Sequence, residues 1–345
     1  MGDTSGEYRG PPSPMPTDDG KSTTPPLTRP RAATAHAARL EDIGAKATRY
    51  LEQSKAPNTR RAYRADWADF SMWCEKFRRQ TLPAAPETVA YYLADRSQTL
   101  KTSTLQRRLA TITEAHRAAG LESPNKTAQV RLVWAGIRRE KGVAQAHKKP
   151  TLTKHIKAMV EHLPDSLLGV RDRALILLGF AGAMRRSELV GLDVTDVALT
   201  DDGLVVVIQK SKTDQVRASR KIGIPFGGNE STCPVRAVIA WVEDAEIEEG
   251  PLFRAVNKHG HVMETRLSDR AVANVVKRSL VGAGKSARGY AAHSLRAGLI
   301  TQAAMAGVSE RAIQDQSGHK SLAVMRRYIR DGSLFRENAA AKVGL

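Results

Sequence analysis

Hydrophobic residues in the segment 36–145 recur every three or four positions, a spacing that is typical of amphipathic helices. The segment 60–77 shows it best, because its apolar residues share one face and arginines occupy the other. The other three helices are predicted through residue 93 after the prolines at 83 and 86, over residues 102–119 and over residues 130–139. The first part of the chain is therefore predicted to be a unit of four helices.

The pattern changes in the second part of the chain. A short β-branched run at 204–209 is followed by an alternating run at 221–225, and the polar stretch between them suits a turn. Helical periodicity returns at 267–280 and at 293–306. We therefore predict a mainly α protein with a small antiparallel β-sheet, in which helices flank a hairpin.

The two patterns meet in residues 137–150, which are rich in lysine and arginine and lose their apolar periodicity. We predict a helical domain at 36–145, a basic linker at 146–152 and a mixed domain at 153–345, and a chain of 345 residues is long enough for two domains. Residues 1–35 hold seven of the sixteen prolines, so we expect a disordered tail there.

Charge adds a class of partner to this picture. The chain has 54 basic and 36 acidic residues, a formal net charge of +18, and such a surplus favours binding to nucleic acid. Two cysteines are too few for a disulfide-rich secreted domain. The longest apolar run, residues 174–184, is shorter than the about 20 residues that a membrane-spanning helix needs. We expect a cytoplasmic, nucleoid-associated protein with no membrane partner.

Common cofactor and metal motifs are incomplete in this chain. The string at 282–286 resembles part of a phosphate-binding loop, but Ser279 occupies the position of its first glycine. Neither the cysteines nor the histidines have the spacing of zinc ligands, and no cluster of carboxylates suits Mg²⁺. We therefore expect no metal and no cofactor.

Cationic and polar residues suited to phosphate chemistry recur in the second half of the chain. They are Arg185 and Glu188 in the string R-x-S-E-L, a lysine in the predicted hairpin turn, His293 and Arg296 in H-x-x-R, Gly318 with His319, and Tyr328 nine residues further on. Each motif alone is common, and each residue alone fits a structural role. The full set in this order is specific.

In this order and spacing the residues resemble the active site of the tyrosine recombinase, or phage integrase, family. The first domain resembles the family's SAM-like core-binding domain of four helices, and the segments 58–74, 267–272 and 326–333 are similar to a Cre-like branch. His319 departs from that branch, which has tryptophan there, whereas most of the family has histidine. The resemblance covers roughly residues 45–335 and implies an α+β catalytic domain of the tyrosine recombinase type.

Each of these residues suits a step in breaking a DNA phosphodiester bond without a metal. Tyr328 would be the nucleophile, because a phosphotyrosyl ester conserves the energy of the broken bond. Arg185 and Arg296 would bind the non-bridging oxygens, where negative charge develops in the transition state. His293 and His319 would donate hydrogen bonds to the same oxygens or move the proton of the tyrosine.

Two further roles follow from the resemblance. Lys212 matches the lysine that protonates the departing 5′ oxygen, but Lys210 lies two residues away and could take its place. Glu188 matches an acid that supports the framework of the site, and it could orient Arg185.

Candidate DNA contacts lie in both predicted domains. Arg60, Arg61 and Arg64 share the polar face of the first helix and are predicted to contact phosphates. Arg270 lies in the segment that resembles the family's groove-entering helix, and Arg107 lies on the third predicted helix. Both are candidates for base contacts, since arginine to guanine is the commonest specific contact, and the alternative for each is a phosphate contact.

The resemblance implies a site-specific DNA recombinase that cleaves and rejoins strands through a 3′-phosphotyrosyl intermediate and exchanges them through a Holliday junction. The outcome of recombination would be integration, excision, resolution or transposition of DNA. The expected partners are a double-stranded recombination site and further copies of the chain, in a homo-tetramer on two DNA sites. Two alternatives remain: a nicking-closing enzyme like a type IB topoisomerase, and a catalytically idle protein that only binds specific DNA.

Overall fold

The computed structural model describes residues 39–46, 49–50, 56–142, 148–209 and 219–333. Their contacts divide them into two compact units. The first unit ends at Trp134, while the second begins at Ala135 and also includes Lys101–Ser103. The predicted tail at 1–35 lies outside the described residues.

Four helices occupy the part of the chain where four are predicted. They are α1 (Pro57–Lys76), α2 (Pro86–Ser97), α3 (Thr102–Ala118) and α4 (Ala128–Lys141). Aromatic side chains of α1 and α2 form the core, with the ring of Tyr92 centred 4.9 Å from that of Phe70 and 5.5 Å from that of Trp73. Phe70 and Trp73 of the apolar face predicted at 60–77 are thus buried, whereas Phe77 at its end is 47% exposed.

Two carboxylates of α1 bind arginines of the neighbouring helices α2 and α3. Asp66 is 3% exposed, and Arg107 donates to both of its oxygens, at 2.6 and 2.9 Å. Asp69 accepts hydrogen bonds from Tyr92 at 2.8 Å and from Arg96 at 3.1 Å. Burial acts to raise the pKa of Asp69, but the Tyr92 hydroxyl and the nearby cations leave that pKa below its usual value.

The second unit mixes helices with short strands, as predicted. Its helices are α5 (Thr153–Glu161), α6 (Leu167–Ala181), α7 (Arg186–Leu189), α8 (Pro234–Asp244), α9 (Asp269–Gly282), α10 (His293–Met305), α11 (Glu310–Ser317) and α12 (Leu322–Ser333). Its strands are β1 (Val197–Thr200), β2 (Gly203–Ile208), β3 (Arg220–Pro225), β4 (Arg254–Val256) and β5 (Val262–Arg266).

The predicted hairpin is formed by β2 and β3, which pair antiparallel with Val206 opposite Ile222. Two features of the sheets go beyond the prediction: β1 adds a third strand beside β2, and β4 pairs with β5 in a separate sheet. These strands lack a clear apolar pattern in the sequence. Strand β1 is short and mostly exposed, and β5 carries exposed polar residues. Their pairing is set by the chain around them.

Helix α6 is the centre of the main core. Residues 174–178 are at most 3% exposed, because this helix is covered on every side. A smaller apolar cluster joins α10, α11 and α12 through Ile300, Ile313, Met325 and Tyr328. This cluster sets α12 against the helix that carries His293 and Arg296. None of the helices in the described ranges combines the length and the apolar character that crossing a membrane requires.

The chain that leads into α5 is bonded along α10. Thr151 donates to the carbonyl oxygen of Ser294 from its N–H at 3.0 Å and from its hydroxyl at 2.7 Å. This close approach depends on Gly298, where a Cβ would lie 2.1 Å from the carbonyl oxygen of Thr151.

We expect Gly298→Ala to lower the free energy of unfolding by about 1–3 kcal/mol, because the added methyl group must push the two segments apart. Urea unfolding measures the change. Gly136→Ala is the matched control, since Gly136 is also helical and a Cβ there meets nothing within 4 Å. Equal losses in both variants would contradict the close approach at Gly298.

Candidate active site

The turn after α6 places Arg185. The helix ends at Ala181 with Gly182 as its C-cap. Ala183 then has a φ of 45°, in the left-handed region that residues other than glycine rarely adopt. The N–H of Arg185 donates to Oε2 of Glu188 at 2.9 Å, and its guanidinium pairs with the other carboxylate oxygen. Glu188 therefore fixes both the backbone and the side chain of Arg185.

Glu188 is the buried counter-charge of this turn. Its side chain is 0% exposed, and Nη2 of Arg220 lies 3.8 Å from its Oε2. Two cations therefore depend on one carboxylate.

We expect Glu188→Gln to lower the free energy of unfolding by about 3–5 kcal/mol, because it leaves two partly buried cations without their buried counter-charge. The measurement is urea unfolding. The control is Glu230→Gln, which removes an exposed carboxylate 3.9 Å from Arg236 and should change stability by less than about 1 kcal/mol. A Glu188→Gln protein as stable as the wild type would show that this carboxylate does not compensate the cations.

Arg296 lies at the centre of the site. It follows His293 in the first turn of α10 and is 1% exposed. Its Nη1 donates to the carbonyl oxygen of Ala183 at 2.6 Å, and its Nη2 lies 3.1 Å from Nδ1 of His319. Burial, and then repulsion by Arg185, lower the pKa of Arg296 to about 9. The empty site therefore disfavours the charge of this guanidinium, and a bound anion would stabilise that charge.

His319 follows α11 through Gly318, which ends that helix in the left-handed conformation with a φ of 63°. Its Nδ1 lies 2.8 Å from the hydroxyl of Ser317. Burial, and then the charge of Arg296, lower the pKa of His319 to about 3. The ring is therefore neutral at physiological pH and can accept a hydrogen bond from Arg296, which an imidazolium cannot do.

The lowered pKa of His319 predicts a pH-dependent part of the stability. Because the folded state disfavours protonation, this part is fully present above the ordinary pKa of 6.5 and is lost as the pH falls toward 3. Between pH 7 and pH 5, we expect the wild type to lose about 1 kcal/mol more unfolding free energy than His319→Gln. This is below the full linkage value, since the ring is partly open to solvent. Urea unfolding at both pH values decides, and equal losses would contradict the lowered pKa.

Tyr328 lies against His293. Its hydroxyl is 2.8 Å from Nε2 of His293, and the residue is 9% exposed. The packing of α12 on α10 through Met325 and Ile300 fixes this distance. A tyrosine in this position can transfer its proton to the imidazole as its oxygen attacks an electrophile.

The structure brings most of the predicted site residues into one place. The set comprises Arg185, Glu188, His293, Arg296, His319 and Tyr328. Lys210 and Lys212 lie outside the described residues, so the lysine stays a prediction. Within the ranges that the structure describes, no three side chains of histidine, cysteine, aspartate or glutamate gather into a metal-binding group.

Two neighbours of the site are not predicted from the sequence. Ser317 contacts His319, and its place just before the Gly-His pair is a signal that could have found it. Arg220, at the start of β3, lies beside Glu188. It is one of several basic residues in that stretch, and no pattern in the sequence distinguishes it from the others.

The predicted DNA-contacting arginines differ in their surroundings. All five are exposed, and no ion pair with an acidic side chain is formed by Arg60, Arg61 and Arg64 on α1 or by Arg270 in the first turn of α9 among the described residues. Arg107 instead directs Nε and Nη2 to Asp66, a partner 41 positions away in the chain. A base contact by Arg107 would therefore compete with an internal ion pair.

Comparison with known proteins identifies the fold and the family. Residues 150–333 match the phage integrase family, and residues 48–122 match the phage integrase N-terminal SAM-like domain. The chain belongs to the phage integrase family. The integrase/recombinase xerD homolog of Selenomonas ruminantium is 41% identical over 303 residues, which are 87% of this chain and 89% of that protein.

A more distant relative and a solved structure of the same fold are also similar to this chain. The recombinase cre of Escherichia phage P1 is 26% identical over 283 residues, covering 76% of this chain and 80% of its own. The crystal structure of XerH site-specific recombinase in a post-cleavage complex with palindromic difH substrate has the same fold, with a TM-score of 0.56 at 17% identity over 74% of this chain and 72% of that one. The chain is a tyrosine recombinase, an enzyme of site-specific DNA recombination, and the predicted fold class is confirmed.

Proposed function

We propose that this recombinase cleaves DNA with Tyr328 as the nucleophile and holds the broken strand as a 3′-phosphotyrosyl ester. The contact between the Tyr328 hydroxyl and Nε2 of His293, at 2.8 Å, carries this proposal. It lies next to the buried guanidinium of Arg296, whose charge would stabilise a phosphate.

In the proposed cleavage step, one bond to phosphorus forms, one breaks, and two protons move. The hydroxyl proton of Tyr328 passes to His293 as the tyrosine oxygen bonds to phosphorus. Arg185 and Arg296 bind the non-bridging oxygens as their charge grows, and neutral His319 orients Arg296. The bond from phosphorus to the 5′ oxygen breaks, and that oxygen takes a proton from Lys212, or from Lys210 in its place.

Rejoining reverses the step with a 5′ hydroxyl from another strand. Two such exchanges, through a Holliday junction, recombine two sites and require four active sites. We therefore propose a homo-tetramer on two double-stranded DNA sites, which acts in the cytoplasm where the nucleoid lies.

The proposed division of labour follows the two patterns of the sequence. Residues 36–145 form the core-binding domain and residues 153–345 the catalytic domain, joined by the basic linker at 146–152. Arg60, Arg61 and Arg64 contact phosphates along one face of α1. Arg270 and Arg107 are proposed to contact bases.

Covalent capture tests the proposed function. Wild type and Tyr328→Phe are incubated with DNA fragments from the region around the gene, in buffer with a chelator of divalent metals. Adducts that resist detergent are isolated, digested with protease, and sequenced at their DNA ends. We expect adducts only with the wild type, at one recurrent sequence with inverted repeats.

Other outcomes point to the two alternatives. Adducts scattered over all sequences would favour a nicking-closing enzyme. Tight binding that weakens with salt, with no adduct from either protein, would favour a catalytically idle DNA-binding protein. A site found in this way then serves as the substrate for the experiments below.

A further inference from the structure

Arg220 is a partly buried cation that the proposed cleavage step does not use. It begins β3, where that strand pairs with the end of β2 through Ile208. Its side chain is 23% exposed, and burial lowers the pKa of its guanidinium despite the attraction of Glu188. Burying such a charge costs free energy, so we ask which contacts of Arg220 compensate that cost.

One edge of the Arg220 guanidinium binds the end of α11. Its Nη1 donates to the carbonyl oxygen of Gln316 at 2.8 Å and to that of Asp315 at 3.4 Å. Carbonyls in the last turn of a helix have no partner inside the helix, and a cation there also interacts favourably with the helix dipole. Arg220 therefore satisfies the C-terminal end of α11 with its charge and its hydrogen bonds.

The guanidinium of Arg220 also packs closely against Gly318, in the turn just before His319. A Cβ added to Gly318 would come within 2.7 Å of both Cζ and Nε of Arg220. The side chain of Gln316 reinforces the same junction, because its Nε2 donates to the carbonyl oxygen of Gly223 in β3 at 3.3 Å. The position of His319 is thus tied to the strand that begins with Arg220.

The other edge of the guanidinium faces Glu188. Nη2 of Arg220 lies 3.8 Å from Oε2 of Glu188, and the second oxygen of that carboxylate pairs with Arg185. This Nη2 is buried and makes no hydrogen bond to any described residue, so it acts on Glu188 through its charge. One side chain therefore connects the turn of Arg185 with the turn of His319.

We propose that Arg220 is a positioning residue for DNA cleavage, which sets His319 and Arg185 relative to each other by bridging the C-terminal end of α11 and Glu188. It does not bind the phosphate itself, because one edge of its guanidinium is bound to carbonyls and the other is buried against Glu188. His319 contacts Arg296, so a displaced turn would also release one partner of that arginine.

The test compares Arg220→Met with Lys221→Met. Lys221 is the next residue of β3 and is exposed, so its replacement removes the same charge without touching the bridge. The readout is the single-turnover rate of adduct formation on saturating target DNA, together with DNA affinity. We expect Arg220→Met to slow cleavage about 100-fold, since small displacements of reacting groups have effects of this size. DNA affinity and the Lys221→Met rate should stay close to those of the wild type.

A double-mutant cycle with His319→Gln distinguishes positioning from a general structural role. If Arg220 acts in part through His319, Arg220→Met should slow cleavage by clearly less than about 100-fold once His319 is already Gln, because only its effect on Arg185 then remains. An undiminished loss in that background would overturn the proposal, as would a wild-type rate for Arg220→Met or a loss confined to DNA affinity.

Arg220→Lys keeps the test informative if the methionine variant does not fold. Lysine retains the charge but cannot span both partners, so we expect a folded protein that cleaves about 10-fold more slowly than the wild type. A wild-type rate for Arg220→Lys would overturn the bridge. This inference rests on the proposed cleavage by Tyr328, and the two fail differently: without that chemistry the wild type itself forms no adduct at Tyr328.

Discussion

Tyr328→Phe is expected to abolish covalent attachment to DNA and to slow strand cleavage by at least about 10⁴-fold, the scale on which loss of a nucleophile acts. The substitution removes only the hydroxyl, which lies 2.8 Å from Nε2 of His293. The ring remains packed with Met325 and Ile300, so the fold and DNA affinity should persist. Adducts on denaturing gels and equilibrium binding measure the two properties.

Tyr290→Phe is the matched control. Tyr290 belongs to the same unit and packs edge-on against His155, with ring centroids 5.9 Å apart, and it is not one of the predicted catalytic residues. Its variant should form adducts at the wild-type rate. A Tyr328→Phe protein that still forms adducts would remove Tyr328 from the mechanism, whatever its DNA affinity.

Arg296→Met is expected to slow cleavage about 10²–10³-fold, the scale on which one preorganised donor to a developing negative charge acts. It should do so without lowering the stability of the DNA-free protein. Arg296 is 1% exposed, and burial with Arg185 nearby lowers its pKa to about 9, below the usual range of an arginine. The folded state therefore disfavours the charge, and an apolar side chain of similar length removes that penalty.

The measurements are single-turnover cleavage and urea unfolding of the same protein. Arg236→Met, which removes a half-exposed arginine on α8, should change neither. A loss of stability as large as that expected for Glu188→Gln would contradict the account, because it would show that the buried charge of Arg296 stabilises the empty site.

Much of the active site can be predicted from the spacing of residues that are close in the sequence. His293 and Arg296 lie on one face of α10 because they are three residues apart, and the nine residues from His319 to Tyr328 span the turn and most of α12. The helices of the first unit follow from their apolar periodicity in the same way. In each case, residues close in sequence fix the geometry.

Contacts between distant segments do not follow from such patterns. Arg107 and Asp66 are 41 positions apart, and Arg220 and Gln316 are 96 apart. A basic residue in a sequence has no mark that shows whether it binds phosphate or an internal carboxylate, since only the packing decides which acid is near. The strands β1, β4 and β5 escape prediction for a related reason, because their pairing depends on neighbouring segments rather than on an apolar pattern of their own.

The most direct test of the account is to identify the residue that becomes linked to DNA. The wild type is trapped on a nicked form of its target site, from which the 5′ hydroxyl fragment diffuses away. The adduct is digested, and the peptide that carries the nucleotide is sequenced by mass spectrometry. The account predicts a single modified residue, Tyr328, joined to a 3′ phosphate. A link to any other residue, or to a 5′ phosphate, would contradict it.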